Sequence, residues 1–124
     1  MKTFDINKLA ISMQNCPNVI FSFLFGSSID GLLKKSEGDI DVAVFLDTDV
    51  NLDILDNIIN VSQESTGHEN IDLSILNNSN VFFCFEVLKG KLLSCNDFDI
   101  YSDFFSLKCR MYEYEVMRIN RNCL

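Results

Sequence analysis

Two aspartates, Asp39 and Asp41, stand one residue apart at the start of an apolar run over residues 39–47. Residues two apart in a β-strand point to the same face, so these carboxylates would share one face while the alternate residues turn into a core. A third acid, Asp72, lies at the start of another apolar run, residues 71–76. If the two strands are neighbours, Asp72 lies beside Asp41, with their Cβ atoms about 4.5–5.5 Å apart.

Three carboxylates at that spacing repel one another. Either some of them hold protons at raised pKa, or cations lie among them. Hard divalent cations that prefer oxygen ligands, chiefly Mg²⁺, fit such a cluster. A DxD pattern alone does not establish a metal site, because acids at strand ends commonly face solvent or cap a turn. The interpretation therefore depends on what stands near the acids in the sequence.

A Gly26-Ser27 pair ends the preceding apolar run, residues 19–25. Glycine allows another group to approach the backbone closely. The pattern predicts a short helix over residues 28–35, whose N-terminus would offer free N–H groups and partial positive charge to a phosphate. Ser27 could add a hydroxyl, although Ser27 or Ser28 could equally serve as a simple helix cap. A phosphate-binding turn one strand-helix unit before paired acids is the combination that nucleotidyl transfer requires.

The elements that would position these residues alternate along the chain. Asp5 is a candidate N-cap for the first helix, Asn78 or Ser79 for the fourth, and Gly90 is the predicted stop of that fourth helix. Hydrophobic spacing predicts an α/β or α+β fold, with a small sheet flanked by helices. The predicted helices cover residues 6–14, 28–35, 51–63, 79–89 and 97–119, and the strands cover 19–25, 40–46, 71–76 and an edge strand 91–95.

Composition excludes several classes of protein. The 124 residues, 48% of them hydrophobic, predict a single packed domain over residues 1–124. A net charge of −8 disfavours sequence-independent nucleic-acid binding, which needs a basic surface. With no apolar run of membrane-spanning length and no signal peptide pattern, a cytoplasmic location is expected. The five scattered cysteines predict reduced, mostly buried thiols rather than zinc or disulfides.

The pattern of Gly26-Ser27, eleven intervening residues, Asp39-Ile40-Asp41 and the later Asp72 resembles the polymerase-β-like nucleotidyltransferases. The chain looks most similar to the minimal nucleotidyltransferases (MNT), the MntA-type antitoxins paired with HEPN-domain toxins. The resemblance implies that Gly26 and Ser27 hold the nucleotide phosphates and that Asp39 and Asp41 bind two Mg²⁺ ions. Asp72 would share the metal that activates the attacking hydroxyl and would help to remove its proton.

The same resemblance implies the reaction and the partner. AMP would pass from ATP to a tyrosine hydroxyl of a HEPN-type toxin, which is thereby inactivated and with which the chain could form a hetero-oligomer. Asp30 departs from this pattern, because the family often has an arginine there, and an acid near a triphosphate repels it. The spacing from Gly-Ser to DxD is about one residue longer than usual in this group, and Gly38 stands where a serine commonly precedes the first acid.

Two other functions compete with this one. A catalytically degenerate antitoxin would block its toxin by direct binding, a hypothesis motivated by Asp30 and by the aromatic-rich C-terminal helix, whose apolar residues exceed one core stripe. Ordinary core packing is the alternative explanation for most of those aromatics. Transfer to a small molecule such as an aminoglycoside ranks lower, because the chain is short for an additional substrate domain.

Overall fold

Four helices cover the two faces of a four-stranded mixed β-sheet in a computed structural model that describes residues 2–33 and 39–123. A separate pair of two-residue strands lies near the N-terminus. In chain order the elements are β1 (Lys2–Thr3), α1 (Ile6–Gln14), β2 (Val19–Phe25), a 3₁₀ turn (Gly26–Ser28), β3 (Leu32–Leu33), β4 (Ile40–Leu46), α2 (Leu52–Thr66), β5 (Ile71–Ile75), α3 (Val81–Leu88), β6 (Lys91–Cys95) and α4 (Phe98–Cys123).

The four-stranded sheet has the order β5-β4-β2-β6. Strand β2 is antiparallel to both of its neighbours, β4 and β6, whereas β4 and β5 run parallel. Strand β6 forms one edge of the sheet, as its sequence predicts. The two central strands are covered on both faces, which explains why their sequences are nearly continuous apolar runs rather than alternating ones.

The core is divided by the sheet into two clusters. Val42 and Val44 of β4 pack on one face with residues of α1 and α2, including Leu9 and Ile58. Ala43, between those two valines, belongs to the opposite cluster, which α3 and α4 cover. The residues of that second cluster are Phe21, Phe23, Ala43, Leu76, Cys84, Val87 and Phe104. The face that carries Ala43 is also the face of Asp41, two residues earlier in the strand.

One helix start differs from the prediction. The N-cap of α3 is Asn80, whose side-chain oxygen accepts a hydrogen bond from the backbone N–H of Phe82 at 2.8 Å. The predicted caps, Asn78 and Ser79, lie before it. The hydroxyl of Ser79 instead donates to the backbone carbonyl of Ile75 at 2.5 Å, so it is already used at the end of β5. The predicted cap of α1 is correct, because the Asp5 carboxylate accepts from two N–H groups of the first turn.

The predicted helix over residues 28–35 is wrong in the part that the structure describes. A single 3₁₀ turn, Gly26–Ser28, is followed by β3, which pairs with β1. Gly31 has φ +80°, a left-handed conformation that ends the turn and is incompatible with helix continuation. Leu32–Leu33 then form a strand because they pair with β1, which is distant in the sequence. Residues 34–38, which include the end of that helix and the predicted polar turn, lie outside the described residues.

Over residues 2–33 and 39–123, none of the helices combines the length and the apolar character that crossing a membrane requires. The cysteines whose side chains are described are free thiols, as predicted, and two of them are buried: Cys16, Cys84, Cys95 and Cys109.

Candidate active site

The two acids predicted to meet are direct partners in the sheet. Asp41 of β4 pairs with Asp72 of β5 in the parallel register, so both carboxylates stand on one face at the N-terminal ends of adjacent strands. Their side chains are joined by a hydrogen bond. The predicted neighbourhood of Asp41 and Asp72, which are 31 positions apart in the sequence, is therefore confirmed, and it follows from the register of one strand pair.

The environment of Asp41 shifts its protonation. Partial burial, followed by the charge and hydrogen bond of Asp72 and then the charge of Asp39, raises the pKa of the Asp41 carboxyl from 3.8 to about 6. Each of these contributions disfavours the ionised form. The pair therefore retains a proton to higher pH than ordinary aspartates do, and that proton occupies a position that another positive charge could take.

The three acids supply part of what a divalent cation needs. Asp39, just before β4, and Asp72 are exposed, whereas Asp41 is half-buried. No group of three or more histidine, cysteine, aspartate and glutamate side chains in the described ranges is arranged as a complete metal site. Mg²⁺ commonly binds through one or two carboxylates, with substrate phosphates and water as the other ligands. The Asp41–Asp72 pair, which already favours a positive charge, fits that incomplete kind of site.

Gly26 lies directly against the acid pair. Its φ of +79° is in the left-handed region, and a Cβ at this position would overlap the Oδ2 atom of Asp41. The pairing of Phe25 with Asp41 in the β2–β4 ladder brings the glycine to this place. The prediction that Gly26 permits a close approach is sound, and in the structure the approaching group is the Asp41 carboxylate.

Ser27 is exposed within the 3₁₀ turn. Because this turn spans only three residues, the dipole of a longer helix is not available at this point, and a phosphate would rely on the N–H groups of the turn and the Ser27 hydroxyl. The phosphate-binding role of Gly26 and Ser27 stays a prediction. Asp30, which follows in the same segment, is exposed.

Ser28 is a feature that the sequence did not reveal. Its side chain is 1% exposed, and its hydroxyl has no hydrogen-bond partner among the described residues. The backbone carbonyl of Ser28 accepts from the N–H of Gly31 at 2.9 Å, which fixes the turn. Nothing in the local pattern distinguishes Ser28 from Ser27, since only the tertiary packing decides which hydroxyl is buried.

Removal of the Ser28 hydroxyl should stabilise the fold. A buried, unpaired hydroxyl costs about 1–3 kcal/mol, so Ser28→Ala should raise the free energy of unfolding by about 1 kcal/mol in urea titrations. Ser22→Ala is the matched control, because the buried Ser22 hydroxyl is paired with that of Ser94 at 2.6 Å and its loss should destabilise the protein. A loss of stability in Ser28→Ala equal to that of Ser22→Ala would show that the Ser28 hydroxyl has a partner.

Several solved structures that share this fold are toxin–antitoxin proteins. A variant of an MntA–HpeT toxin–antitoxin complex with two aspartate-to-glutamate changes is 20% identical, with a TM-score of 0.73 and coverage of 96% of this chain and 94% of that one. A toxin–antitoxin structure with AMP-PNP is 21% identical, with a TM-score of 0.71 and coverage of 96% and 94%. A tri-AMPylated HEPN toxin in complex with MNT antitoxin, from Shewanella oneidensis, is matched at 19% identity, with a TM-score of 0.65 and coverage of 95% and 91%.

At these identities the structural likeness establishes the fold. No curated protein sequence matches the chain. The family model described as polymerase beta, nucleotidyltransferase matches residues 7–99, which include Gly26, Ser27 and the three acids. That match extends over most of the chain. The protein therefore belongs to the polymerase beta nucleotidyltransferase family.

Proposed function

We propose that this protein is an antitoxin that transfers AMP from ATP to a tyrosine hydroxyl of a HEPN-type toxin and thereby neutralises it, in a Mg²⁺-dependent reaction. The observation that carries the proposal is the in-register Asp41–Asp72 pair in contact with Gly26, in a nucleotidyltransferase fold. The similar structures with AMP-PNP and with an AMPylated HEPN toxin support the choice of nucleotide and partner.

The acids have distinct roles in this proposal. Asp39 and Asp41 would hold two Mg²⁺ ions, and Asp72 would share the ion on the side of the attacking hydroxyl. When bound, Mg²⁺ supplies charge neutralisation for the triphosphate and makes the attacking hydroxyl more acidic. Gly26 has no Cβ and so leaves room for the Asp41 carboxylate beside it. The turn at Ser27 would orient the phosphates.

The proposed reaction is a substitution at the α-phosphorus of ATP. The tyrosine oxygen forms a bond to the α-phosphorus, while the bond from that phosphorus to the oxygen bridging to the β-phosphorus breaks. Pyrophosphate leaves with the electron pair of that bond. The hydroxyl proton passes to Asp72, which is exposed and so able to meet a group presented by another protein.

Labelling of the toxin tests the proposal. The purified chain, Mg²⁺, ATP labelled at the α-phosphate and the HEPN-type protein encoded beside it should give a labelled toxin, with the label on a tyrosine. The double variant Asp39→Asn/Asp41→Asn should give none, while Asp56→Asn, an exposed acid of α2, should label as the unmodified chain does. Persistence of labelling in the double variant would exclude these acids from the reaction.

A second candidate is an antitoxin that acts by binding alone. The observation that favours it is the exposed apolar surface of α4, which includes Met111, Tyr114, Met117 and Ile119. A binding antitoxin needs no acid pair, so Asp39→Asn/Asp41→Asn would protect a target from the toxin at equal stoichiometry. It would also fail to protect at low antitoxin-to-toxin ratios, as would the unmodified chain.

A further inference from the structure

A groove lies between the start of α3 and the second half of α4, with a volume of about 600 Å³. Its lining includes Ser79, Asn80, Phe82, Arg110, Met111, Tyr114 and Glu115. Ser79 follows the C-terminal end of β5, whereas Asp72 lies near the N-terminal end of the same strand. The groove is therefore at the opposite end of the sheet from the acid pair, and the proposed chemistry does not use it.

The groove exists because α4 is longer than the surface that it covers. At 1.5 Å per residue its 26 residues extend over about 39 Å, whereas the seven residues of β2 extend over about 23 Å. The first half of α4 is part of the core, where Tyr101 and Phe104 contact Phe21 at ring distances of 5.1 and 5.5 Å. Further along α4, Tyr114 is 66% exposed and Met117 is 56% exposed.

Core packing therefore explains only part of the aromatic character of α4. Tyr112 is the last aromatic residue that packs on α3, with its ring 4.2 Å from that of Phe85 and 5.7 Å from that of Phe82. Tyr114, on the groove, has no ring contact among the described residues. A tyrosine that offers a large apolar surface with a polar end, next to Met111, is typical of the centre of a protein interface.

Charge identifies the kind of partner that the groove accepts. Residues 108–124 carry four basic and two acidic side chains, a net charge of +2, whereas residues 1–107 carry six basic and sixteen acidic ones, a net charge of −10. Arg110 and Glu115 both line the groove, and Arg110 is exposed. The Glu115 carboxylate already accepts from the Arg118 guanidinium at 2.7 Å, so its charge is offset within α4 and the charge of Arg110 is left for a partner. The first turn of α3, which also borders the groove, contains no acidic residue, so its partial positive charge is not neutralised locally.

Lys108 adds a buried positive charge beside the groove. Its side chain is buried, its Nζ atom is 3.5 Å from the carbonyl oxygen of Ser79 and 5.4 Å from the centre of the Phe104 ring. Within the described part of the chain, no carboxylate forms an ion pair with it. A buried ammonium without a carboxylate is costly, and an acidic group in the groove would reduce that cost.

We propose that this α3–α4 groove docks an acidic segment of the toxin partner that also bears an aromatic or aliphatic side chain. The proposal depends on the proposed function for the identity of the partner. A second copy of the chain is a poorer occupant, because a twofold contact through this groove would bring the Arg110 side chains of the two copies together, while each Glu115 is already paired with Arg118 of its own helix. Docking at this end would leave the acid pair accessible to the acceptor tyrosine.

Binding measurements with the HEPN-type protein test the groove. Arg110→Glu and Tyr114→Ala should each weaken toxin binding at least about 10-fold, the range of residues central to an interface. Both variants should bind Mg²⁺-ATP as the unmodified chain does, because the acid pair is at the other end of the sheet. The matched controls are Lys8→Glu on α1 and Leu52→Ala on α2, both exposed on the opposite face, and each should change toxin affinity less than about 2-fold.

The outcomes separate the groove from the catalytic proposal. Unchanged toxin affinity in Arg110→Glu and Tyr114→Ala, with toxin still labelled, overturns the groove and leaves the reaction in place. Weakened affinity in a chain that never labels the toxin supports the groove and overturns the reaction. A dimer of the unmodified chain that Tyr114→Ala converts to a monomer, with toxin affinity intact, assigns the groove to a second copy and also overturns the proposal.

Discussion

Asp41→Asn should abolish AMP transfer and, above pH 6, make the protein more stable. The loss of transfer should reach at least about 1,000-fold, which corresponds to about 4 kcal/mol of transition-state stabilisation. The carboxylate that the variant lacks is the one in contact with both Asp72 and Gly26. The gain in stability arises because the ionised carboxylate is partly buried and, when no cation is bound, is also repelled by Asp72 and Asp39.

The sign of the pH dependence follows from the raised pKa of Asp41. The folded-state pKa of about 6 exceeds the ordinary value of 3.8, so the folded chain binds more protons than the unfolded chain between those values. The free energy of unfolding therefore falls as pH rises from about 4 to about 6, and the full penalty is present above pH 6. Asp41→Asn removes this penalty. Because Asp41 is only half-buried, solvent screens the repulsion, and a gain of about 1 kcal/mol is expected at pH 8.

Urea unfolding in the presence of EDTA, at pH 8 and pH 5, measures this effect. The advantage of Asp41→Asn should decrease by about half at pH 5, where the folded pair already holds its proton. The exposed Asp56→Asn is the control and should show a small change that does not vary with pH. If Asp41→Asn destabilises the chain at pH 8, the repulsion assigned to the acid pair is absent.

Gly26→Ala should inactivate the protein, with a loss of stability limited to the cost of its left-handed backbone conformation. A left-handed φ costs an alanine about 1–2 kcal/mol. The new Cβ would overlap Oδ2 of Asp41, the end of a side chain that can rotate away, so the overlap itself adds little to the loss of stability. Rotation would, however, remove the Asp41 carboxylate from its position beside Asp72. We expect AMP transfer to fall at least about 100-fold, equivalent to about 2.7 kcal/mol.

Two other glycines separate the effect on stability from the effect on activity. Gly67 also has a left-handed φ, +73°, and an alanine Cβ at this position would have no neighbour within 4 Å. Gly67→Ala should therefore lose as much unfolding free energy as Gly26→Ala but retain full activity. At Gly90 a Cβ would overlap the backbone carbonyl of Leu24, and Gly90→Ala should cost more stability than either, about 2–3 kcal/mol. Equal activities of Gly26→Ala and Gly67→Ala would show that the contact of Gly26 with Asp41 is not needed for the reaction.

Much of the sheet and the acid pair could be predicted from the sequence because local patterns determine them. Apolar runs bounded by Gly26 and Asp39 mark two buried strands, and the alternation of Asp72 with apolar residues assigns its face. Side chains alternate between the two faces of a strand, so the pairing of β4 with β5 places Asp41 beside Asp72 on one face. The prediction needed only strand periodicity and one adjacency, and both are present in the fold.

The remaining features depend on contacts between distant parts of the chain. The helix expected after Gly26 is replaced by a turn and a strand because β1, at the N-terminus, pairs with Leu32–Leu33. Ser28 rather than Ser27 is buried for a tertiary reason as well, and the α3–α4 groove arises from the length of α4 relative to the sheet. Local propensity contains none of this information.

Turnover on the toxin tests the central claim most directly. The chain should be mixed with a 20-fold excess of HEPN-type protein, about the ratio at which stoichiometric binding leaves 95% of the toxin untouched, and with Mg²⁺-ATP, and the toxin should be followed by intact-mass spectrometry. We predict that every toxin molecule gains one or more AMP units and loses activity, and that Asp41→Asn produces neither change. Toxin of unchanged mass that is inhibited only in proportion to the chain added would contradict catalysis and assign the protein to binding alone.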